Sequence, residues 1–351
     1  MVNFTILAGG YDLFIAAYLF NSNASSLSLI GQYPSGPNPS WISLHPTNKS
    51  ILYATNEITE GAVQSFTVMP NGVLSEAVET VPSGGDTPAF VGVLSTGQVT
   101  VMNYVGANGR IIPTTDTPLD FDDTAGIISF PIPDGGASNP HMALEYGSEV
   151  LVPDLGGDTV WRLKENGSPG NWKIIGSIAQ PAGSGPRHIA VEGDLLFTLH
   201  QTTSTLTVQK IPSLDTKTAP LLANVSIVPP DPPFNASFAA AELLIPKTSE
   251  RFPVQYIYAS NRNMGEADER GDTIAIFQYV GGKLELVTHV YTGLDQVRTM
   301  EFGGEDSEYL VAGGVARNGS VAVFRRVDEG RNLEEIVRNI DLPVRVSFVW
   351  L

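Results

Sequence analysis

Ser184-Gly185-Pro186-Arg187-His188-Ile189-Ala190-Val191 places an arginine and a histidine at the start of a short apolar strand, directly behind a Gly-Pro turn. Glycine and proline punctuate the chain there, and the β-branched run that follows reads as strand. The same unit recurs as Pro39-Ser40-Trp41, Pro88-Ala89-Phe90, Pro140-His141-Met142, Ala240-Ala241-Glu242, Val297-Arg298-Thr299 and Val344-Arg345-Val346. Successive starts lie 46 to 57 residues apart. A repeat of that length built from strands predicts a β-propeller.

Each unit supplies four strands. The first follows the turn. The second is a β-rich run such as Ile51–Thr55, Glu149–Val152, Leu195–Leu199 or Tyr256–Ala259. The third alternates, as in Thr159–Leu163 and Thr273–Phe277, and the fourth is more polar, as in Lys283–Val287. Period-two patterning runs throughout, and no stretch has the 3.6-residue period of an amphipathic helix. The N-terminal run Phe4–Ala8 matches a second strand with no first strand before it, while Val344–Trp350 matches a first strand with nothing after it. Joining them completes one blade and removes two open sheet edges. The expectation is an all-β, seven-bladed propeller over residues 1–351, one domain, closed by its C-terminal strand.

Composition agrees. The 35 glycines and 25 prolines are scattered between apolar runs rather than massed in one segment, which fits turns between strands. A formal charge of −17 argues against nucleic acid and against anionic membrane surfaces as partners. The absence of cysteine excludes disulfides, thiolate metal sites and a cysteine nucleophile. Localisation stays open between two readings. Met1–Gly10 lacks the basic start and apolar core of a signal peptide, which points to the cytoplasm. Seven Asn-X-Ser/Thr sequons, at Asn3, Asn23, Asn48, Asn166, Asn224, Asn235 and Asn318, against roughly three expected by chance, point to a secreted glycoprotein. The oligomeric state is likewise open.

In a propeller the first residues of the inner strands gather at one mouth of the central channel. That set is Ser40, Ala89, His141, Arg187, Arg298 and Arg345, with His188 and Glu242 one position further. The residues ending the second strands, Glu57, Tyr104, Asp154, Gln201 and Arg262, should surround the same mouth. A chain with only 20 lysines and arginines thus collects cations at equivalent points of its repeat. Two readings compete: an anion-binding cleft, or ion pairs stitching blades together, such as Arg187 with Asp154 or Glu242.

At these residues the chain resembles the seven-bladed β-propeller lactonase family, which contains bacterial 6-phosphogluconolactonases and fungal 3-carboxy-cis,cis-muconate cyclases. The matching pieces are Gly185-Pro186-Arg187-His188, Asn139-Pro140-His141, Val152-Pro153-Asp154-Leu155-Gly156 and Tyr258-Ala259-Ser260-Asn261-Arg262, with Asn56-Glu57, Asn103-Tyr104 and Ala241-Glu242 as weaker ones. The resemblance implies a lactone hydrolase of carbohydrate metabolism or a lactonizing cycloisomerase of aromatic catabolism, neither needing a cofactor. It puts the family's catalytic histidine on His141 and its arginines on Arg187 and Arg262. His188, Gln201, Glu242, Arg298, Glu57, Tyr104 and Asp154 are then expected to contact substrate. The family glutamate at the end of the second strand falls on Gln201, which cannot carry a proton at neutral pH.

Lactone opening needs an activated water and a stabilised oxyanion, which a neutral His141 and the arginines would supply. Cyclisation needs an acid to protonate carbon, which with Gln201 in place only a histidine or Glu242 could supply, and this tilts the reading towards hydrolysis. A non-catalytic binder of small carboxylates is the third reading. No metal is expected: the five histidines form no close pair, and the acidic run Asp116–Asp123 lacks the spacing of a Ca²⁺ loop.

Overall fold

In the computed structural model, which describes residues 3–216, 219–317 and 319–351, twenty-eight strands form seven four-stranded antiparallel sheets. Among the described residues the only helical segments are two 3₁₀ turns, Glu305–Ser307 and Asp328–Gly330. Among the described residues no helix is long and apolar enough to cross a membrane.

The chain closes as its ends suggest. The C-terminal strand Ser347–Trp350 pairs with Asn3–Gly9 and forms the inner edge of blade one. The inner strands of blades two to seven are Ile42–His45, Pro88–Val93, Leu144–Tyr146, Pro186–Glu192, Phe238–Leu244 and Val297–Gly303. Between adjacent blades the alternating apolar residues interlock. Tyr18, Phe20, Phe348 and Trp350 of blade one meet Tyr309, Val311 and Val323 of blade seven in one such core. Trp350 lies so close against Gly303 that a Cβ there would stand 2.0 Å from its indole.

The inner strands do not begin as regular ladders, and this sets up the channel mouth. Register jumps from Pro88 to Phe90, from Pro186 to His188 and from Val297 to Thr299, leaving Ala89, Arg187 and Arg298 without a partner. These are β-bulges at equivalent points of three blades. A bulge kinks the strand and re-aims a side chain, so the bulged residue turns towards the axis. In blade six the bulge falls at Ala241-Glu242, between Ala240 and Leu243. In blade four the ladder starts only at Leu144, and Pro140 makes an isolated bridge to Asp154. His141 therefore sits on a splayed entry segment, held by its N–H to Pro153 O at 3.0 Å.

The six sequon asparagines within the described residues, Asn3, Asn23, Asn48, Asn166, Asn224 and Asn235, are all exposed; Asn318 lies outside them. The proline-rich Pro229–Phe234 loop carries Phe234 at 97% exposure.

Candidate active site

A cavity of about 220 Å³ opens at the mouth where the inner strands begin. It is small beside the about 300–1,000 Å³ of drug-sized pockets, which suits a single substituted ring. Its walls are Glu57, Ala89, Tyr104, His141, Gln201, Arg262 and Arg298. Six of the ten expected site residues are among them. Glu57, Tyr104 and Gln201 follow the second strands of blades two, three and five. Their N–H groups donate to Asn38, Thr87 and Gly185, each the residue before the turn proline. This shared backbone bond holds three different side chains at one height around the axis.

The other four lie elsewhere. Asp154 is in the wrong register by one residue: the group in blade four that donates to the residue before the proline is Leu155, to Asn139. Asp154 is instead the equivalent of Asn103 and His200, and turns into the blade. It is fully buried and accepts from Ser138 Oγ, Asn139 N, Gly157 N and Trp161 Nε1, so it stitches the turn and has no reach to the channel. Arg187 lies fully buried behind the cavity wall. It pairs with neither Asp154 nor Glu242 but donates to Ala241 O, with Nε and Nη2 unpartnered. His188 and Glu242 lie deeper and line a second cavity further along the channel.

The electrostatics of the mouth follow from three guanidinium groups crowded together. Arg262 donates from Nη2 to Gln201 Oε1 at 2.7 Å and to Ala240 O, and from Nε to Ala239 O. Burial, then Arg298, lowers it to about 10. Burial, then Arg262 and Arg298, holds Arg187 well below its ordinary value, against Glu242 and Tyr11. His141 is 3% exposed, stacks edge-on to Tyr104 at 5.8 Å, and has no partner for Nδ1. Burial pushes its imidazole far down, and Arg187, His188, Arg298 and Arg262 push the same way. It is therefore neutral through the physiological range. Unpartnered buried atoms cluster here: Arg187 Nε and Nη2, Arg298 Nε, His141 Nδ1 and Glu57 Oε2. A buried donor with no acceptor costs about 1–3 kcal/mol, and among these guanidinium groups Arg298 is the one in the cavity wall, where an anion would reach it. The mouth is a cationic island on a chain of net charge −17.

Two contributors escaped the sequence analysis. Tyr11, 40% exposed, lies under Arg298, whose guanidinium carbon is 5.7 Å from its ring centroid, and its hydroxyl feels Arg298, Glu57, Arg187 and Arg262. Asp12 pairs with Arg345 and so removes that arginine from the free cations. Both lie in the turn that follows the strand Asn3–Gly9, where no proline marks the mouth. A wider groove of about 630 Å³ between blades two and three, lined by Glu60–Ala62, Thr80–Pro82 and Gly84–Asp86, has no cation. Among the described residues no cluster of histidine and acidic groups has metal-binding geometry. Asp123 of the acidic run pairs with Arg110, and Asp122 accepts from Thr124.

A sequence-family model described as "Lactonase, 7-bladed beta-propeller" matches residues 5–350. The chain belongs to this lactonase propeller family. No curated protein matches it. Among solved structures it resembles a putative 6-phosphogluconolactonase from Bacteroides uniformis, with 19% identity, TM-score 0.81 and 100% of both chains covered. It also resembles the periplasmic gluconolactonase PpgL of Pseudomonas aeruginosa, with 18% identity, TM-score 0.81, and 100% of this chain and 99% of that one covered. A protein from Lactobacillus plantarum aligns over 100% of both chains with 21% identity and TM-score 0.82. At these identities the likeness establishes the lactonase-type propeller fold and leaves the substrate to the cleft.

Further down the channel, burial and then Glu242 push Glu301 up to about 8. In the unfolded chain this carboxyl ionises near its ordinary value of 4.5, so the folded state holds the extra proton between these two pH values. The contribution of Glu301 to stability is full below pH 4.5, is lost as pH rises, and levels off above about 8. Glu301→Gln should therefore melt a few degrees above the parent protein at pH 8.5, with the difference gone by pH 4.5. Thermal melts across this range check it, and a constant difference would contradict the assignment.

Proposed function

We propose that the chain hydrolyses a small lactone bearing an anionic group, in the cavity walled by His141, Arg262 and Arg298. The observation that carries this reading is the pair of guanidinium groups in the wall, Arg262 and Arg298 with its unpartnered Nε, beside a neutral imidazole in a cavity of one-ring size. Arg262 and Arg298 take the carboxylate or phosphate of the substrate, or the carbonyl oxygen as it becomes an oxyanion. Arg187 adds its charge from behind the wall. His141 takes a proton from water as the hydroxide adds to the lactone carbonyl, and returns it to the ring oxygen as the C–O bond breaks. Accepting that proton next to three arginines is costly, and the negative charge arriving on the substrate offsets it. Gln201, fixed through its Oε1 to Arg262, presents its amide N–H to a ring hydroxyl. Glu57 is the sole carboxylate in the wall and has a free oxygen, Oε2, to accept a second hydroxyl.

The test is turnover of a panel of sugar-acid lactones with and without a phosphate or carboxylate. Preference for the anionic members, with the protein consumed by none of them, supports the reading; saturable binding with no turnover makes the chain a binder instead. Gln201→Glu separates hydrolysis from cyclisation. A carboxylate beside Arg262 should neutralise part of the anion site and raise KM for an anionic lactone about tenfold, about 1.4 kcal/mol. If the variant instead gains cyclisation of a carboxy-muconate, the chain is a cyclase scaffold lacking its acid and the hydrolase reading fails.

A further inference from the structure

The channel changes character along its length. Beyond the cationic mouth, and further along the same inner strands, lies a second cavity of about 320 Å³. Its walls are largely apolar: Trp41, Phe90, Met142, Leu244, Met300 and Phe348. Trp41 and Phe90 lie 5.1 Å apart, and the Trp41 ring stands edge-on to His188 at 5.4 Å. The titratable groups in this wall are His188, Glu242 and Glu301, with no arginine or lysine among them, whereas the mouth carries Arg262 and Arg298. Glu242 Oε1 meets His188 Nδ1 at 2.5 Å and also takes the Leu243 N–H. Glu301 Oε1 accepts from Phe302 N at 3.0 Å.

His188 is 1% exposed and its Nε2 has no partner. Burial outweighs Glu242 and keeps the ring below its ordinary value, hence neutral at pH 7. With a carboxylate at Nδ1, that nitrogen carries the proton, so Nε2 is left as an acceptor with nothing to accept from. Among the described residues the cavity thus holds two carboxyl groups and a free imidazole lone pair, set in an aromatic and thioether wall. Arg187, behind the wall, balances Glu242 in part. Glu301 has no ion-pair partner among the described residues. Lys49 lines the outer groove that shares Leu44, Glu301 and Val349 with the cavity, but its Nζ donates to Trp350 O. A metal ion is not the complement, because these groups do not converge with metal-ligand geometry.

We propose that the second cavity is a binding site for a small aromatic or aliphatic ammonium ion, its charge against Glu301 and its carbon frame against Trp41, Phe90 and Phe348. An ammonium donates up to three hydrogen bonds and lies favourably over an indole face. Desolvation, then repulsion from Glu242, pushes the Glu301 carboxyl up to about 8, and the charge of the ammonium would offset that repulsion. The cavity stands at the low end of the size range of small-molecule sites, enough for one ring or a short chain. The inference does not depend on which reaction the cationic mouth performs.

Benzylamine, benzyl alcohol and phenylacetate are the probes, titrated at pH 7.5 into the full chain by calorimetry. Methionine methyl resonances report the place, since Met142 and Met300 are two of six methionines and both line the cavity. Benzylamine should bind at least tenfold more tightly than the isosteric alcohol, phenylacetate should not bind there, and the shifts should be confined to Met142 and Met300. Glu301→Gln, equal in volume, should erase the advantage of the amine while leaving lactone turnover unchanged. Equal affinity for amine and alcohol in the unaltered protein, shifts at other methionines, or an undiminished preference in Glu301→Gln would each overturn the proposal. The first two arms use the native chain and so do not depend on the variant folding.

Discussion

His141→Ala should lower lactone turnover at saturating substrate by about 10²- to 10⁴-fold, the range a positioned general base contributes, while KM stays within about threefold. The split follows from the geometry. His141 is neutral and unpartnered at Nδ1, so it has little charge to offer a bound ground-state lactone. Its contribution arises when water gives up its proton, which is an interaction of the transition state. Arg262→Ala should behave differently and raise KM as well, because a guanidinium attracts the anion before and during the reaction. Steady-state kinetics on both variants check the pair. A His141→Ala enzyme with unchanged kcat and a raised KM would make the histidine a binding group and move the search for the base to Glu57.

Deleting Val344–Leu351 should abolish the cooperative fold. Blade one loses its inner strand, with Val346, Phe348, Val349 and Trp350 all buried at 9% exposure or less. At about 1.5–3 kcal/mol per buried side chain, these four contribute on the order of 6–12 kcal/mol. Net stabilities of domains are about 5–15 kcal/mol. Bonds to both neighbouring blades go too: Thr299 Oγ1 to Val346 O, Ile42 N to Ser347 Oγ and Trp350 Nε1 to Glu301 O. The ring would then be open, with two unsatisfied edges. Circular dichroism melts and gel filtration test it; a truncated chain that stays monomeric and melts cooperatively would refute the closure as the source of stability.

The repeat is readable because a Gly-Pro or Xaa-Pro turn ahead of an apolar run is a local signal, and Ala89, His141 and Arg187, each directly behind a proline, can be placed from it without long-range information. The placement of the second-strand ends was less secure. Glu57, Tyr104 and Gln201 were found because each follows an Asn or His that ends its ladder. In blade four an aspartate ends the ladder, and its charge drew the assignment one residue short of Leu155. Depth along the channel was not readable at all. Arg187 and His188 are neighbours in the chain, and only the bulge between Pro186 and His188 decides that one lies behind the first cavity and the other in the wall of the second. Glu301 lies in an unremarkable strand, Val297–Gly303, and its burial depends on the ring having closed around it.

The bulge at the start of the inner strands has a further consequence for how this molecule can be altered. Because the irregularity recurs at the same point of blades three, five and seven, each of these blades acts as a socket for one side chain at the start of its inner strand. Ala89 occupies such a socket in blade three with a methyl group, between blades that carry Ser40 and His141. A larger residue placed there enters the cavity from a new bearing, with no other strand having to shift register. Three such sockets make the mouth of this channel a combination lock, in which the identity of the guest is set by which side chain is dialled into each position, while the wheel itself stays the same.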